Sequence, residues 1–270
     1  MSAEKLIDVH AHFYTARSGR GDWRTVNEAR IAAGDQMGIT AHVASILGTW
    51  GGSSPTYFPS PADVSHGNQA MLELTRAYPG LVFGYCVVNP NYQEHAMVEL
   101  AKRLDEGMIG VKVAASRRAN DALLDPITAY AAERGVPILH HVWQHRRHEW
   151  PGQEASDAVE LMELAGRHPD AKFLLAHIGG GGDWSHSLRA VRDVANVWVD
   201  LSGSGVDGGM LEAVLDTVGP SRMVWGCDVT MGTGMAKLRY LESLGLPPSD
   251  VSRIKSGNAL DLFPSGVFGQ

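Results

Sequence analysis

The sequence holds little cysteine: two residues in 270, Cys86 and Cys227. Each sits in an apolar run, VFGYCVV and MVWGC, where a buried free thiol is the plain expectation. Two cysteines exclude a disulfide framework. A chain of this length can bury enough apolar surface to stand without one, and a reducing compartment is expected. Long apolar runs are missing too. None approaches the ~20 residues of a membrane helix, and MSAEKLIDVHAHF lacks the basic and apolar regions of a secretory signal. A cytoplasmic protein with no membrane partner is therefore expected. Positive charge is also short, with 23 Lys and Arg against 30 Asp and Glu and a net charge of −7. Non-specific nucleic-acid binding needs a basic face, so no nucleic-acid partner is expected. There is no internal repeat and no linker-like stretch, so residues 1–270 read as a single domain.

What is present is a regular alternation. Eight short apolar runs stand out: KLIDVH, AHVASIL, LVFGYCVV, MIGVKVA, VPILHHV, KFLLAHI, VWVDLS and RMVWGCD. They are nearly continuous in apolar residues, as parallel strands covered on both faces should be. Segments of helical spacing lie between them. HAMVELAKRLDEG carries Met97, Leu100, Ala101 and Leu104 on one face and stops at Gly107. DPITAYAAERG has Pro126 near its start and Gly135 after its last turn. ASDAVELMELAGRHP offers Ser156 or Asp157 as a cap. Strands alternating with helices, eight times over, predict an α/β fold of the (β/α)₈ TIM-barrel type. Two loops are long for a barrel, residues 48–66 and 143–155, and both leave the strand ends where barrel enzymes keep their sites.

Histidine is abundant, at 12 residues, and several lie at the ends of the runs. The first run ends in His10-Ala11-His12. Strand alternation puts His10 and His12 on one face, where two imidazoles can converge on one metal ion. The fifth run ends in His140-His141, the sixth in His177 and the eighth in Asp228. A lone histidine is more often a packing residue than a ligand, and a strand-end aspartate is often a helix cap. Ligand-type residues at the same end of four strands are a different matter, and they point to a metal centre.

The segments IDVHAHF, GVPILHHV, KFLLAHIGGG, MVWGCDVT and GNALDLF, in this order, resemble the amidohydrolase-related group of metal-dependent hydrolases. That group includes relatives of aminocarboxymuconate-semialdehyde decarboxylase and resorcylate decarboxylase. The resemblance runs from Ile7 to Phe263. It implies one divalent metal ion, zinc by preference, held by His10, His12, His141 and Asp228, with His140 as the fallback on strand five. It implies His177 and Asp228 as the catalytic residues, acting on the proton of a metal-activated water. GNALDLF would be a structural tail. The chain departs from the group's pattern at Gly226-Cys227-Asp228-Val229, where GSD and proline are usual, and at Val142-Trp143 after His141. These departures bear on the substrate.

Lys112 lies amid apolar residues in the fourth run, where a lysine is costly unless paired or engaged. In binuclear relatives of the group such a lysine is carboxylated; with one metal it is an interior cation or a substrate contact. Trp50, Lys112, Arg117, Trp143 and Arg146 are the candidate substrate-binding residues, with Arg118 and Arg147 beside them. Arginine forks suit carboxylates and aromatic faces suit planar bodies. Gly179 to Gly182 follow His177 without the spacing of a nucleotide loop. The expected partner is a small molecule bearing a carboxylate, and homodimerisation is left open. The reaction expected is hydrolysis of an amide, lactone or ester, favoured by the compact chain. Non-oxidative decarboxylation of an aromatic or enoic acid is the alternative, and a non-catalytic metal-binding barrel is a further one.

Overall fold

The eight apolar runs form eight parallel strands. A computed structural model describes residues 5–46, 54–143, 149–178 and 184–269. The strands are β1 (Ile7–His12), β2 (Ala41–Ser45), β3 (Val82–Val88), β4 (Gly110–Val113), β5 (Ile138–His140), β6 (Phe173–Leu175), β7 (Val197–Asp200) and β8 (Met223–Val224). Each pairs with the next in sequence order. The ring closes between β8 and β1, where Ala11 bridges to Asp228, the Val9 N–H donates to the Trp225 carbonyl and the Asp228 N–H donates to the His10 carbonyl. The fold is a (β/α)₈ barrel.

The outer helices are α1 (Trp23–Met37), α2 (Pro61–Ala77), α3 (Gln93–Asp105), α4 (Asp125–Glu133), α5 (Ala158–Arg167), α6 (Trp184–Val191), α7 (Met210–Val218) and α8 (Met231–Ser243). Two short helices follow, α9 (Pro248–Ser252) and α10 (Asn258–Leu262). Local chemistry sets several starts. The Ser60 hydroxyl accepts from the Asp63 N–H, and Pro61 occupies the first turn of α2. The helix thus begins inside the stretch that reads as a long loop. Asp157 caps α5 in a reciprocal capping box with Glu160.

Two apolar layers hold the barrel. The larger lies between strands and helices and includes Val88, Leu100, Val111, Ile127, Leu161, Phe173, Val199 and Leu211. The smaller fills the lumen with Ile7, Val9, Val43, Tyr85, Leu139, Leu174 and Val224. From below, Leu262 and Phe263 join this inner layer, so the GNALDLF tail closes the floor of the barrel. Tyr85 needs room, and Gly110 supplies it: a Cβ there would lie 2.6 Å from the Tyr85 ring.

The register of β1 against β2 shifts between Asp8 and Ala11. This bulge changes the parity of the strand. Ile7 and Val9 belong to the lumen layer, while Ala11 belongs to the outer layer. His10 and His12 thereby join Val9 in facing the lumen. The Tyr85 hydroxyl donates to the Val9 carbonyl at 2.7 Å, inside the irregular stretch.

Candidate metal centre and active site

The C-terminal end of β1 presents two imidazoles whose tautomers follow from their partners. His10 Nδ1 lies 2.7 Å from Asp200 Oδ2, an acceptor, so Nδ1 carries the proton and Nε2 the lone pair. His12 Nδ1 faces the Ser45 carbonyl at 3.2 Å, with the same consequence. The two Nε2 atoms are 3.1 Å apart. Asp228 Oδ1 lies 3.2 Å from His12 Nε2 and 3.8 Å from His10 Nε2. Three lone-pair donors thus converge with no proton between them. Such a set is repulsive on its own and suits a divalent cation. Among the described residues, His10, His12 and Asp228 are the group able to hold a metal ion.

Electrostatics favour the ligand forms. Burial, followed by the charge of Lys112, holds His10 well below the usual imidazole range. Burial alone would raise the Asp228 carboxyl. His10, His12 and His177 outweigh it, and the group is held well below the usual carboxylate range. The Lys112 Nζ donates to His10 Nε2 at 3.3 Å, and burial pulls its ammonium down to about 8 against the pull of Asp228 and Asp200.

His141 and His177 form a second pair beside the first. His177 Nε2 and His141 Nδ1 are 3.1 Å apart, and the His177 ring stacks on His10 at 5.7 Å. This geometry draws His141 toward His177, outside the group formed by His10, His12 and Asp228. His141 Nε2 and His177 Nδ1 are buried with no partner among the described residues. Burial lowers both histidines, so both are neutral bases; for His177, Asp228 opposes the shift. His140 faces the other way, where its Nε2 lies 3.2 Å from the Ser156 hydroxyl.

A narrow recess adjoins the site, lined by Thr56, Tyr57, Pro59, Val87, Lys112, Val113, Ala114, Ala115 and His141. Lys112 is its cation. Trp143 packs edge-on against His141, with ring centroids 5.4 Å apart, and Tyr57 lies 5.8 Å from the same ring. Tyr57 leaves only a faint mark in the sequence, the aromatic pair Tyr57-Phe58 in the loop after β2. Asp200 leaves none, since it reads as an ordinary strand end.

Of the described arginines, Arg117 and Arg118 are not among the residues that line the recess. Arg117 donates to Asn91 and lies 3.4 Å from Asp121. Arg118 lies 3.3 Å from Glu154 and 3.5 Å from Glu160. Both leave the expected face, but their charge is engaged by neighbouring side chains. Trp50, Arg146 and Arg147 lie outside the described residues, as do Gly179 to Gly182.

A barrel with a His-x-His strand end facing a strand-eight aspartate defines a class before any comparison is made. The comparison agrees: the amidohydrolase family profile matches residues 7–265, and the chain belongs to that family. No curated protein matches the chain. Solved structures with this fold include a dihydroxybenzoic acid decarboxylase from Polaromonas with bound manganese and the inhibitor 2-nitroresorcinol. It is 16% identical with a TM-score of 0.71, and the match covers 96% of each chain. A 4-oxalomesaconate hydratase from Rhodopseudomonas palustris is 15% identical with a TM-score of 0.70, covering 96% of this chain and 95% of that one. A probable 2-pyrone-4,6-dicarboxylic acid hydrolase from Acinetobacter baumannii, with citric acid bound, is 15% identical with a TM-score of 0.65. That match covers 95% of this chain and 98% of the other.

Proposed function

We propose that this protein is a metal-dependent hydrolase that cleaves an ester, lactone or amide bond of a small carboxylate-bearing substrate. The observation that carries the reading is the juxtaposition of three convergent ligand lone pairs with a buried pair of neutral histidines. His10, His12 and Asp228 would hold one divalent ion, zinc by the chemistry of its donors, with His141 as the fourth ligand once its Nε2 turns to the site. When bound, such an ion supplies Lewis acidity that polarises a carbonyl oxygen and acidifies water.

The chain's own groups do the rest. His177, neutral and buried, takes a proton from the attacking water as the oxygen bonds to the carbonyl carbon. It returns the proton to the leaving alcohol or amine as the carbon–heteroatom bond breaks. Asp228, ionised, orients that water. Lys112, one of the expected substrate contacts, faces the recess and pairs with the substrate's anionic group, and Arg146 belongs to the same reading through its place after β5. Tyr57 and Trp143 wall the apolar side, and Trp50 belongs to the same reading through its place after β2.

One observation favours decarboxylation as a second reading. Lys112 is a proton-bearing group aimed into the recess, and decarboxylation needs a proton delivered to carbon. Chain length does not separate the two, because the match to the Polaromonas decarboxylase covers 96% of that chain. The test is elemental analysis of the purified protein, then a screen of lactones, amides and aromatic carboxylic acids scored for acid release and for CO₂. Metal content is expected to fall sharply in folded His10→Ala and Asp228→Ala proteins. Full occupancy in both removes the ligand assignment, and CO₂ without acid release reverses the choice of reaction.

A further inference from the structure

Behind His10 lies a buried chain of polar contacts that reaches α8. Asp200 is fully buried at the end of β7. Its Oδ2 accepts from His10 Nδ1 at 2.7 Å and from the Ser202 hydroxyl at 2.5 Å, and its Oδ1 accepts from the Ser202 N–H at 2.9 Å. The Ser202 hydroxyl is also 3.0 Å from His10 Nδ1. Ser202 is itself held. Lys237, fully buried in α8, donates to the Ser202 carbonyl at 2.7 Å and to the Gly203 carbonyl at 2.6 Å.

A buried ammonium needs a reason. Among the described residues no carboxylate lies within ion-pair distance of Lys237, and its hydrogen bonds go to two backbone carbonyls of the turn that carries Ser202. The strand alongside is shaped to the same contact. A Cβ at Gly226 would lie 2.8 Å from Asp200 Oδ1 and 3.0 Å from His10 Cβ, so the segment that continues β8 can pass this close only with glycine there. Four elements therefore converge on the orientation of one imidazole.

We propose that Lys237 and Ser202 are positioning residues that act through Asp200 to lock His10 in the tautomer whose Nε2 lone pair faces His12 and Asp228. Lys237 fixes the turn after β7, the turn aims the Ser202 hydroxyl and N–H at Asp200, and Asp200 fixes the His10 ring and its proton. The inference rests on the metal reading for its purpose, but the tautomer itself is a property of the metal-free protein.

The experiment has two arms. The first reads the His10 and His12 tautomers in metal-free protein by nitrogen–proton correlation spectra of the imidazoles. The second measures Zn²⁺ and Mn²⁺ affinity by competition with a chromophoric chelator. In the wild type, His10 is expected to be wholly Nδ1-protonated. In Asp200→Asn and Ser202→Ala it is expected to populate the Nε2-protonated form, while His12, which leans on Ser45, is unchanged. Affinity is expected to fall roughly 10- to 100-fold in Asp200→Asn, the usual effect of losing a ligand's supporting carboxylate, and less in Ser202→Ala and Lys237→Met. Lys237→Arg is expected to restore part of it. If Lys237→Met does not fold, Ser202→Ala and Asp200→Asn decide alone. A wild-type His10 tautomer and unchanged affinity in the folded variants overturn the proposal. If the wild type binds neither ion, the metal reading fails, and the tautomer arm still decides this one.

Discussion

His177 and Asp228 are the non-glycine residues with positive φ among those described, at 40° and 62°. The left-handed region costs an ordinary residue about 1 kcal/mol or more and recurs at functional sites, where the surrounding structure over-determines it. Both residues lie in the segments that follow β6 and β8, strands that feed Leu174 and Val224 into the lumen, and the turn of the backbone re-aims them at the site. Asparagine tolerates this region better than most residues but cannot exchange a proton. His177→Asn should therefore keep its melting temperature or gain slightly, keep its metal, and lose turnover by roughly 10²-fold or more. Calorimetry, elemental analysis and kcat on one preparation test this. Metal lost from the variant would make His177 a ligand instead of a proton carrier.

At the scale of elements, the wall behind β1 is held by polar contacts. Burial alone would raise the Asp8 carboxyl, but the hydrogen bond from His42 and the charge of Arg30 hold it below its ordinary value. It accepts from His42 Nδ1 at 3.0 Å, Arg30 at 3.3 Å and the N–H groups of Cys227 and His10. One carboxylate thus ties β1, β2, β8 and α1 together beside the β1 bulge. The His42 ring fits only because α1 carries Gly34, where a Cβ would lie 2.5 Å from His42 Nε2. On helix propensity alone, Gly34→Ala should stabilise the protein by about 1 kcal/mol. The clash is with a ring that Asp8 holds in place, and overpacking costs about 1–3 kcal/mol. Net destabilisation is expected, read as a lower urea midpoint at unchanged m-value. A higher midpoint would show that the ring moves aside.

That polar wall also marks where the sequence stops being readable. The eight strands stand out because both their faces are buried, and the His-x-His pair stands out because strand parity is simple. Helix α1 does not, because the side it buries carries Asn27, Arg30 and Gly34 in place of an apolar stripe. The β1 bulge leaves no mark in IDVHAH. Asp200 in VWVDLS and Lys237 in MAKLRYLESLG look like a strand end and a solvated helix position. Only the tertiary approach of β7, β8 and α8 makes them partners of His10. Arg117 shows the converse: a basic loop residue at the right end of a strand, whose charge is used by Asn91 and Asp121.

The whole molecule holds most of these groups in forms that acid opposes. Burial pushes His140 down to about 3 from an ordinary 6.5, with Lys112 adding to the shift. His10, His141 and His177 are lowered as well, burial first in each case. For such a histidine the unfolded chain binds a proton that the native protein refuses. Stability is therefore complete above about pH 6.5 and is lost as the pH falls toward the folded value. Asp8 and Asp228 extend the loss below about pH 3.8, because their native carboxyls stay ionised. Asp200 works the other way. Burial raises it to about 6, so the native state holds its proton across the window from 3.8 to 6 and gains stability there as the pH falls. The histidines outnumber it, and metal-free protein should lose stability steadily from pH 6.5 to pH 5. His140 alone should contribute a slope that rises to about 1.4 kcal/mol per pH unit toward the acid end of that range. His140→Gln keeps a hydrogen-bonding group for the Ser156 hydroxyl and removes the titration. Urea unfolding at pH 7.5, 6 and 5 should then show a slope for His140→Gln that is shallower than wild type by close to one proton. Equal slopes would mean that His140 takes up its proton without unfolding, and that water or a neighbouring carboxylate reaches it in the native barrel.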